Sequence, residues 1–135
     1  MIVLARHEKR YLKNLVFNFT GLKLMFRKND CTCLNTWHNN SGKISYQNIN
    51  VNLDQLDRLH YKSIIKLNFS KDNFIYCLQV ILHEIAHYKK IKKFNSNMNL
   101  YNNDVKTRSY YYHEKISNRY AKKYYHKILS VINIF

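Results

Sequence analysis

Hydrophobic positions along this chain change period several times, and each change marks a predicted element. Over the first 20 residues Leu4, Leu12, Leu15, Val16 and Phe19 follow helical spacing loosely. From Leu15 the alternation Leu15, Phe17, Phe19 suits a strand equally, and Leu22, Leu24 and Phe26 repeat it after Gly21. A helix followed by a strand, or a hairpin, are both allowed. Residues 28–43, KNDCTCLNTWHNNSGK, are polar and turn-rich, which predicts a loop or a strand with wide turns. In ISYQNINVNL apolar and polar residues then alternate with a change of phase between Tyr46 and Ile49, as a bulge would produce, and the segment reads as an edge strand.

Residues 54–69, with Leu56, Leu59, Ile64 and Ile65, are ambiguous between a short helix and a turn. The clearest helix follows. Ser70 offers an N-cap, Asp72 lies in the first turn, and Phe74, Cys77, Leu78, Ile81, Leu82 and Ile85 recur at threes and fours. Its end, YKKIKK, places cations at the negative end of the helix dipole. The asparagine-rich stretch 95–106 predicts a polar loop. From about Thr107 to Ile132 a long helix is predicted, with Glu114, Ala121, Tyr125, Ile128 and Ile132 on one stripe at separations of 7, 4, 3 and 4 residues. The expected fold class is α+β: one domain over residues 1–135, with a small mixed sheet whose edge strand packs on the central helix, and a long C-terminal helix.

Composition narrows the reading little. Hydrophobic residues make up 46% and charged residues 23% of 135, an ordinary folded-domain mix, with 12 tyrosines adding aromatic packing or a sticky surface. No proline and two glycines leave no linker of the usual composition. The formal charge of +15 would draw nucleic acid, an anionic membrane or an acidic protein. Abundant Lys, Asn, Ile and Tyr also follow from AT-rich coding. KKIKK, with Lys89, Lys90, Lys92 and Lys93, supplies the best candidate nucleic-acid contacts, beside Lys122, Lys123 and Lys127 among tyrosines; a solvated helix end is the plainer account. Three cysteines, with no secretory signal at the start, predict a reducing, cytoplasmic compartment. No run approaches the length of a membrane span, and ILSVINIF is far too short.

The chemistry concentrates in VILHEIAHYKK. Histidines at i and i+4 project from one helix face a turn apart, so His83 and His87 can reach one tetrahedral metal. Glu84, displaced from that direction, can take a proton from water without occupying a ligand place. Apolar Val80, Ile81, Leu82, Ile85 and Ala86 let the helix be buried on its other sides. A catalytic zinc normally has three protein ligands. Downstream, Glu114, His113 and His126 are available; Glu114 is preferred because it lies on the packing stripe, where an unpaired carboxylate is costly. The plain alternative is a surface carboxylate pairing with Lys115 or Arg119. Cys31, Cys33 and His38 form C-x-C-x4-H, an incomplete metal pattern that otherwise reads as reduced thiols in a turn, and Cys77 reads as a small core residue.

HEIAH on one helix and a glutamate on a later one resemble the zincin metallopeptidases of the gluzincin kind. Glu114, Ser117, Asn118, Tyr120 and Ala121 resemble the E-x-x-A-N-x-F-A pattern of the ImmA/IrrE family, with Ser117 for the small alanine and Tyr120 for phenylalanine. That resemblance implies a Zn2+-dependent metallopeptidase of bacteria, phages or mobile elements that cuts a protein substrate such as a transcriptional repressor. The first half is also similar to SprT-like peptidases, which act on DNA-attached proteins, but those carry a third-ligand histidine soon after the helix and residues 88–112 hold none. In zincins an edge strand holds the substrate backbone, so Ile49, Val51 and Leu53 are the expected substrate rail. A tyrosine or histidine usually stabilises the tetrahedral intermediate; among Tyr110, Tyr111, Tyr112 and His113 the expectation rests on His113 and Tyr112. A binding protein on the same scaffold, attached to nucleic acid or a host protein through its basic surface, is the expectation from a different class.

Overall fold

Gly21 decides between the two readings of the N-terminal segment. At φ 74° it takes the left-handed conformation and its amide donates to the Phe17 carbonyl, closing α1 (Arg6–Thr20). At the other end the Glu8 carboxylate accepts from the Ala5 amide at 2.7 Å. Leu12, Leu15 and Val16 form the buried side of α1. The computed structural model describes residues 1–132, with side chains through 130, so Ile132 of the predicted stripe has no described side chain and ILSVINIF runs beyond the described residues.

Three strands make one mixed sheet in the order β1-β3-β2. β1 (Lys23–Met25) runs parallel to β3 (Ile44–Asn50), and β2 (Cys33–His38) runs antiparallel to it. The bulge expected between Tyr46 and Ile49 is not there, since the pairing runs unbroken from Tyr46 to Asn50; the register shifts earlier, at Ser45, where Trp37 and His38 meet Tyr46 and Ile44. The predicted edge is corrected. β3 is the middle strand, Ile49 and Val51 are wholly buried, and Leu53 is the first residue of the next helix. The polar segment 28–43, read as a loop or strand, forms the edge instead through β2, whose half-exposed sequence CLNTWH suits that place.

Asparagines at the end of β3 face inward and lace the preceding loop. The Asn50 side chain accepts from the Arg27 amide at 3.0 Å and donates to the carbonyls of Arg27, Asp30 and Cys31 at 3.2, 3.2 and 3.0 Å. Asn52 donates to the Lys28 and Asp30 carbonyls, both at 3.0 Å. These bonds fix the approach to β2, and hence where β2 meets the central helix.

The ambiguous segment 54–69 is a full helix, α2 (Leu53–Leu67), capped by Asn52 and ended by Asn68 in the left-handed region. The central helix is α3 (Asn73–Lys93). Its N-cap is Asp72, whose side chain accepts from the Ile75 amide, while Ser70 bonds the Asp72 amide through its hydroxyl. Cys77, Leu78, Ile81, Leu82 and Ile85 are wholly buried among α1, α5 and the sheet.

The loop expected over 95–106 is a helix, α4 (Met98–Arg108), capped by Asn97. Its buried Met98 and Tyr101 pack on Ile91. Gly42, at φ 87°, lies so close to Asn97 that a Cβ would collide with that side chain, and its carbonyl accepts from the Met98 amide at 2.9 Å. Ser109, at φ 81°, breaks the path before α5 (Tyr110–Ile132), which packs along α3 through Ala121 and Ile128. Among the described residues five helices and a three-stranded sheet give an α+β fold with a long C-terminal helix. Among the described residues no helix is long and apolar enough to cross a membrane.

Candidate metal centre

Burial of α3 on most sides leaves one face, carrying His83 and His87, turned toward α5 and the end of β2. The two Nε2 atoms stand 3.1 Å apart, a consequence of the i, i+4 spacing. Glu114 on α5 reaches both: Oε2 lies 3.0 Å from His83 Nε2, and Oε1 lies 3.0 Å from His87 Nε2. Tetrahedral ligands at zinc–ligand bond lengths of 2.0–2.1 Å would stand roughly 3.3 Å from one another. The three donors therefore already lie near the spacing that one small cation requires.

Proton bookkeeping points the same way. The His83 Nδ1 sits 2.7 Å from the Asn118 carbonyl oxygen, which can only accept, so Nδ1 carries the proton and a neutral ring turns a lone pair at Nε2 toward the Glu114 carboxylate. Two acceptors facing each other need a proton or a metal between them. The His87 Nδ1 is held 3.2 Å from the Tyr101 hydroxyl. Each imidazole thus has a partner on its far nitrogen that orients the ring, as ligating histidines usually do. The donor set of two imidazoles and a carboxylate fits zinc.

Glu84 lies beside this group, its ligand atoms within 4.8 Å of those of the histidines. It is buried, and its Oε2 accepts from the Leu34 amide of β2 at 3.0 Å. Burial pushes its carboxyl above the usual range, against the lowering effect of His83 and His87. For Glu114 burial acts upward, yet hydrogen bonds and charge from His83 and His87 win and hold it well below the usual carboxylate range. At His83 burial acts downward, and the Glu114 bond with the Glu84 and Glu114 charges turns the net shift upward. Positive charge is favoured at the meeting point of the three.

A cleft of about 530 Å³ opens over the group. Leu34 and Thr36 of β2 form one wall, Leu56, Leu59 and Phe69 an apolar floor, and Tyr110 and Glu114 the α5 side.

Of the residues expected from sequence, His83, Glu84, His87 and Glu114 come together. Glu114 pairs with the histidines and not with Lys115 or Arg119. His113 and Tyr112 do not reach the cleft, which corrects the expectation for both. His113 is 3% exposed and bonds Asp104 at 2.9 Å, and Tyr112 lies under the Arg108 guanidinium. They are rotated off the face that carries Tyr110, Glu114 and Asn118 at four-residue intervals. That interval is the signal that would have selected Tyr110 and Asn118. Tyr101 was hidden by reading its segment as a loop. Ile49, Val51 and Leu53 do not border the cleft; Leu34 and Thr36 do. Cys31 and Cys33 approach to 3.1 Å, while His38 bonds the Asn39 carbonyl instead of joining them. Lys89 lies over Tyr120 and Lys92 over Tyr88.

No protein-family model matches the chain, and no curated protein or solved structure matches it either.

Proposed function

We propose that the chain is a zinc-dependent endopeptidase in which His83, His87 and Glu114 hold the metal and Glu84 is the general base. The observation that carries this reading is the convergence of His83, His87 and Glu114 donor atoms at 3.0 to 3.1 Å, with an additional buried carboxylate beside them. Zinc at such a place supplies Lewis acidity, acidifying water and polarising a carbonyl.

The chain's own residues account for the remaining requirements of peptide hydrolysis. Glu84, raised in basicity by burial, accepts a proton from the attacking water at a carboxylate oxygen and passes it to the leaving amine. The Leu34 amide holds that carboxylate in place. Because strand residues two apart share an orientation, the Thr36 amide faces outward as Leu34's does and is free to pair with an extended substrate. Tyr110, largely exposed at the cleft's edge and raised above the usual tyrosine range by partial desolvation and by Glu114, is the hydroxyl donor we assign to a developing oxyanion.

The deciding experiment is Glu84→Gln. Cleavage of a protein substrate should fall by at least roughly 100-fold, the lower end of general-base contributions, with one zinc retained by elemental analysis. Undiminished cleavage would refute the role of Glu84, and absence of zinc from the wild-type protein would refute the metal centre.

A second reading has its own observation. Lys89, Lys92, Lys123 and Lys127 each lie 5.0 to 5.5 Å from a tyrosine ring centre, so cations and aromatics interleave near the ends of α3 and α5. With Lys90 and Lys93 this favours a nucleic-acid-binding protein on the same scaffold. Salt-sensitive DNA binding indifferent to chelator, without proteolysis of any partner, would select it.

A further inference from the structure

Beside the metal centre lies a second cavity of about 300 Å³ that shares Glu114 and Asn118 as walls and is rimmed by Lys66, Lys115, Arg119 and Lys122. From this we infer a specificity subsite: the peptide substrate carries an acidic side chain close to the scissile bond, and these four cations receive it. The inference rests on the endopeptidase reading above and names the substrate class for that same cleft.

The placement of the charges supports it. Lys115, Arg119 and Lys122 follow one another on α5 at spacings of four and three residues, so they share a helix face. Like charges at those spacings cost a few tenths of a kcal/mol per pair, which an intervening carboxylate would relieve. None is present. Among the described residues none of the four cations enters an ion pair, and the carboxylate in the cavity wall, Glu114, is already engaged by His83 and His87. Lys66 comes from the last turn of α2, so two helices point the same charge into one recess. A carboxylate entering it meets several cations in a partly enclosed place, where bulk screening is weaker than on an open surface.

Size and position favour an acidic peptide over a nucleic acid. A recess of about 300 Å³ holds one or two side chains and does not present the extended groove that tracks a phosphate backbone. A chain lying along β2 across the triad advances about 3.3 Å per residue, so residues neighbouring the scissile bond are the ones that reach past Glu114 and Asn118.

The test uses the full chain loaded with zinc and carrying Glu84→Gln, so that bound peptide is not turned over. It reads the fluorescence anisotropy of a labelled, end-blocked peptide with a leucine flanked by two glutamates, beside the same peptide with glutamines. At near-physiological salt the glutamate peptide should bind at least about tenfold tighter, the factor that 1.4 kcal/mol produces. The pair Arg119→Glu and Lys122→Glu should erase that preference, and Lys66→Glu should weaken it from a different helix. The pair Lys9→Glu and Lys13→Glu, on the remote α1, should leave it intact. Equal binding of the two peptides, no binding of either, or an equal loss from the α1 pair overturns the subsite. So does displacement by a short DNA duplex at lower concentration than by an acidic peptide of equal charge. Zinc content, measured on these samples and on the wild-type chain beside them, separates the two levels: zinc retained without a glutamate preference sinks the subsite alone, and zinc that the wild type does not hold sinks the metal centre and the subsite with it.

Discussion

His83 and Asn118 meet across the α3–α5 interface, with the ring Nδ1 2.7 Å from the side-chain carbonyl oxygen. This contact fixes the ring's tautomer and aims its other nitrogen at Glu114. Asn118 is one helical turn beyond Glu114, so a single face of α5 supplies both a proposed ligand and the group that orients a second proposed ligand. The same division recurs at His87, oriented by Tyr101.

Asn118→Ala should therefore weaken zinc binding by roughly 10- to 100-fold, the usual effect of losing an orienting partner, and leave the fold in place. Asn118→Asp, which keeps the acceptor, should retain affinity near the wild-type value. Competition with a chromophoric chelator reads both. Equal losses for the two variants would mean that Asn118 acts only by packing.

Removing a proposed ligand outright is expected to have a larger consequence. Glu114→Ala should bind no zinc at micromolar protein concentration, and the wild type, but not the variant, should lose thermal stability on addition of chelator. With free zinc at about 100 times its dissociation constant the stabilisation is about 2.7 kcal/mol, readable as a shift of several degrees in Tm. A chelator effect that persists in Glu114→Ala would place the metal elsewhere.

Asn50 tests how the edge strand is held. It is 1% exposed, and its side chain serves one amide and three carbonyls of the loop leading to β2. Asn50→Ala orphans several of these groups at once. A loss of roughly 2–4 kcal/mol is expected, from about 1–3 kcal/mol per unsatisfied buried group with partial rescue by water, measured as a shift in the denaturant midpoint. A loss below about 1 kcal/mol would mean that the loop satisfies itself.

The thiols give a pH dependence with a definite sign. Burial, with the neighbouring carboxylates adding, pushes Cys77 from 9.0 up to about 12. At Cys33 burial acts first, the Cys31 thiol next, and the value is again about 12. A folded pKa above the unfolded one means that the neutral thiol's stability is fully present below about pH 9 and is lost as pH rises toward 12. Iodoacetamide at pH 8 should accordingly label exposed Cys31 first in the native protein, with Cys33 far slower and buried Cys77 only on unfolding. Peptide mass mapping distinguishes the three, and fast labelling of Cys77 would show that α3 opens readily.

Much of the candidate site's side-chain cluster could be read from the chain because it depends on local order. The i, i+4 histidines, the apolar residues around them and Glu114 on a helical stripe are all properties of one helix at a time. Strand order is not such a property. Asn48 and Asn50 look like outward-facing positions of an edge strand, yet both are buried because Asn35 and the loop carbonyls satisfy them. That satisfaction comes from residues 13 to 23 positions away, invisible to any alternation pattern. The helix over 98–108 was obscured by its asparagines, although Met98, Tyr101 and Val105 recur at three and four and dock on Ile91. Tertiary contact overrode weak propensity there.

The corrected edge leads to the last prediction. If substrate pairs with β2, the outward Thr36 amide is its hydrogen-bond donor, while the inward amides of Asn35 and Trp37 face β3. Thr36→Pro removes that one donor. Proline is tolerated on an edge strand where the missing amide faces away from the sheet, so stability should change by no more than about 1 kcal/mol. Zinc content should be unchanged, because Glu84 is held by Leu34 and the proposed ligands lie on α3 and α5. Affinity for substrate should fall, seen as a KM raised several-fold, in keeping with roughly 0.5–1.5 kcal/mol for one hydrogen bond, and kcat should move less. The opposite split, a collapsed kcat at constant KM, would mean that the Thr36 amide acts on the reacting carbonyl and not along the substrate strand. Unchanged kinetics would remove β2 as the rail and leave the apolar floor of the cleft to hold the substrate.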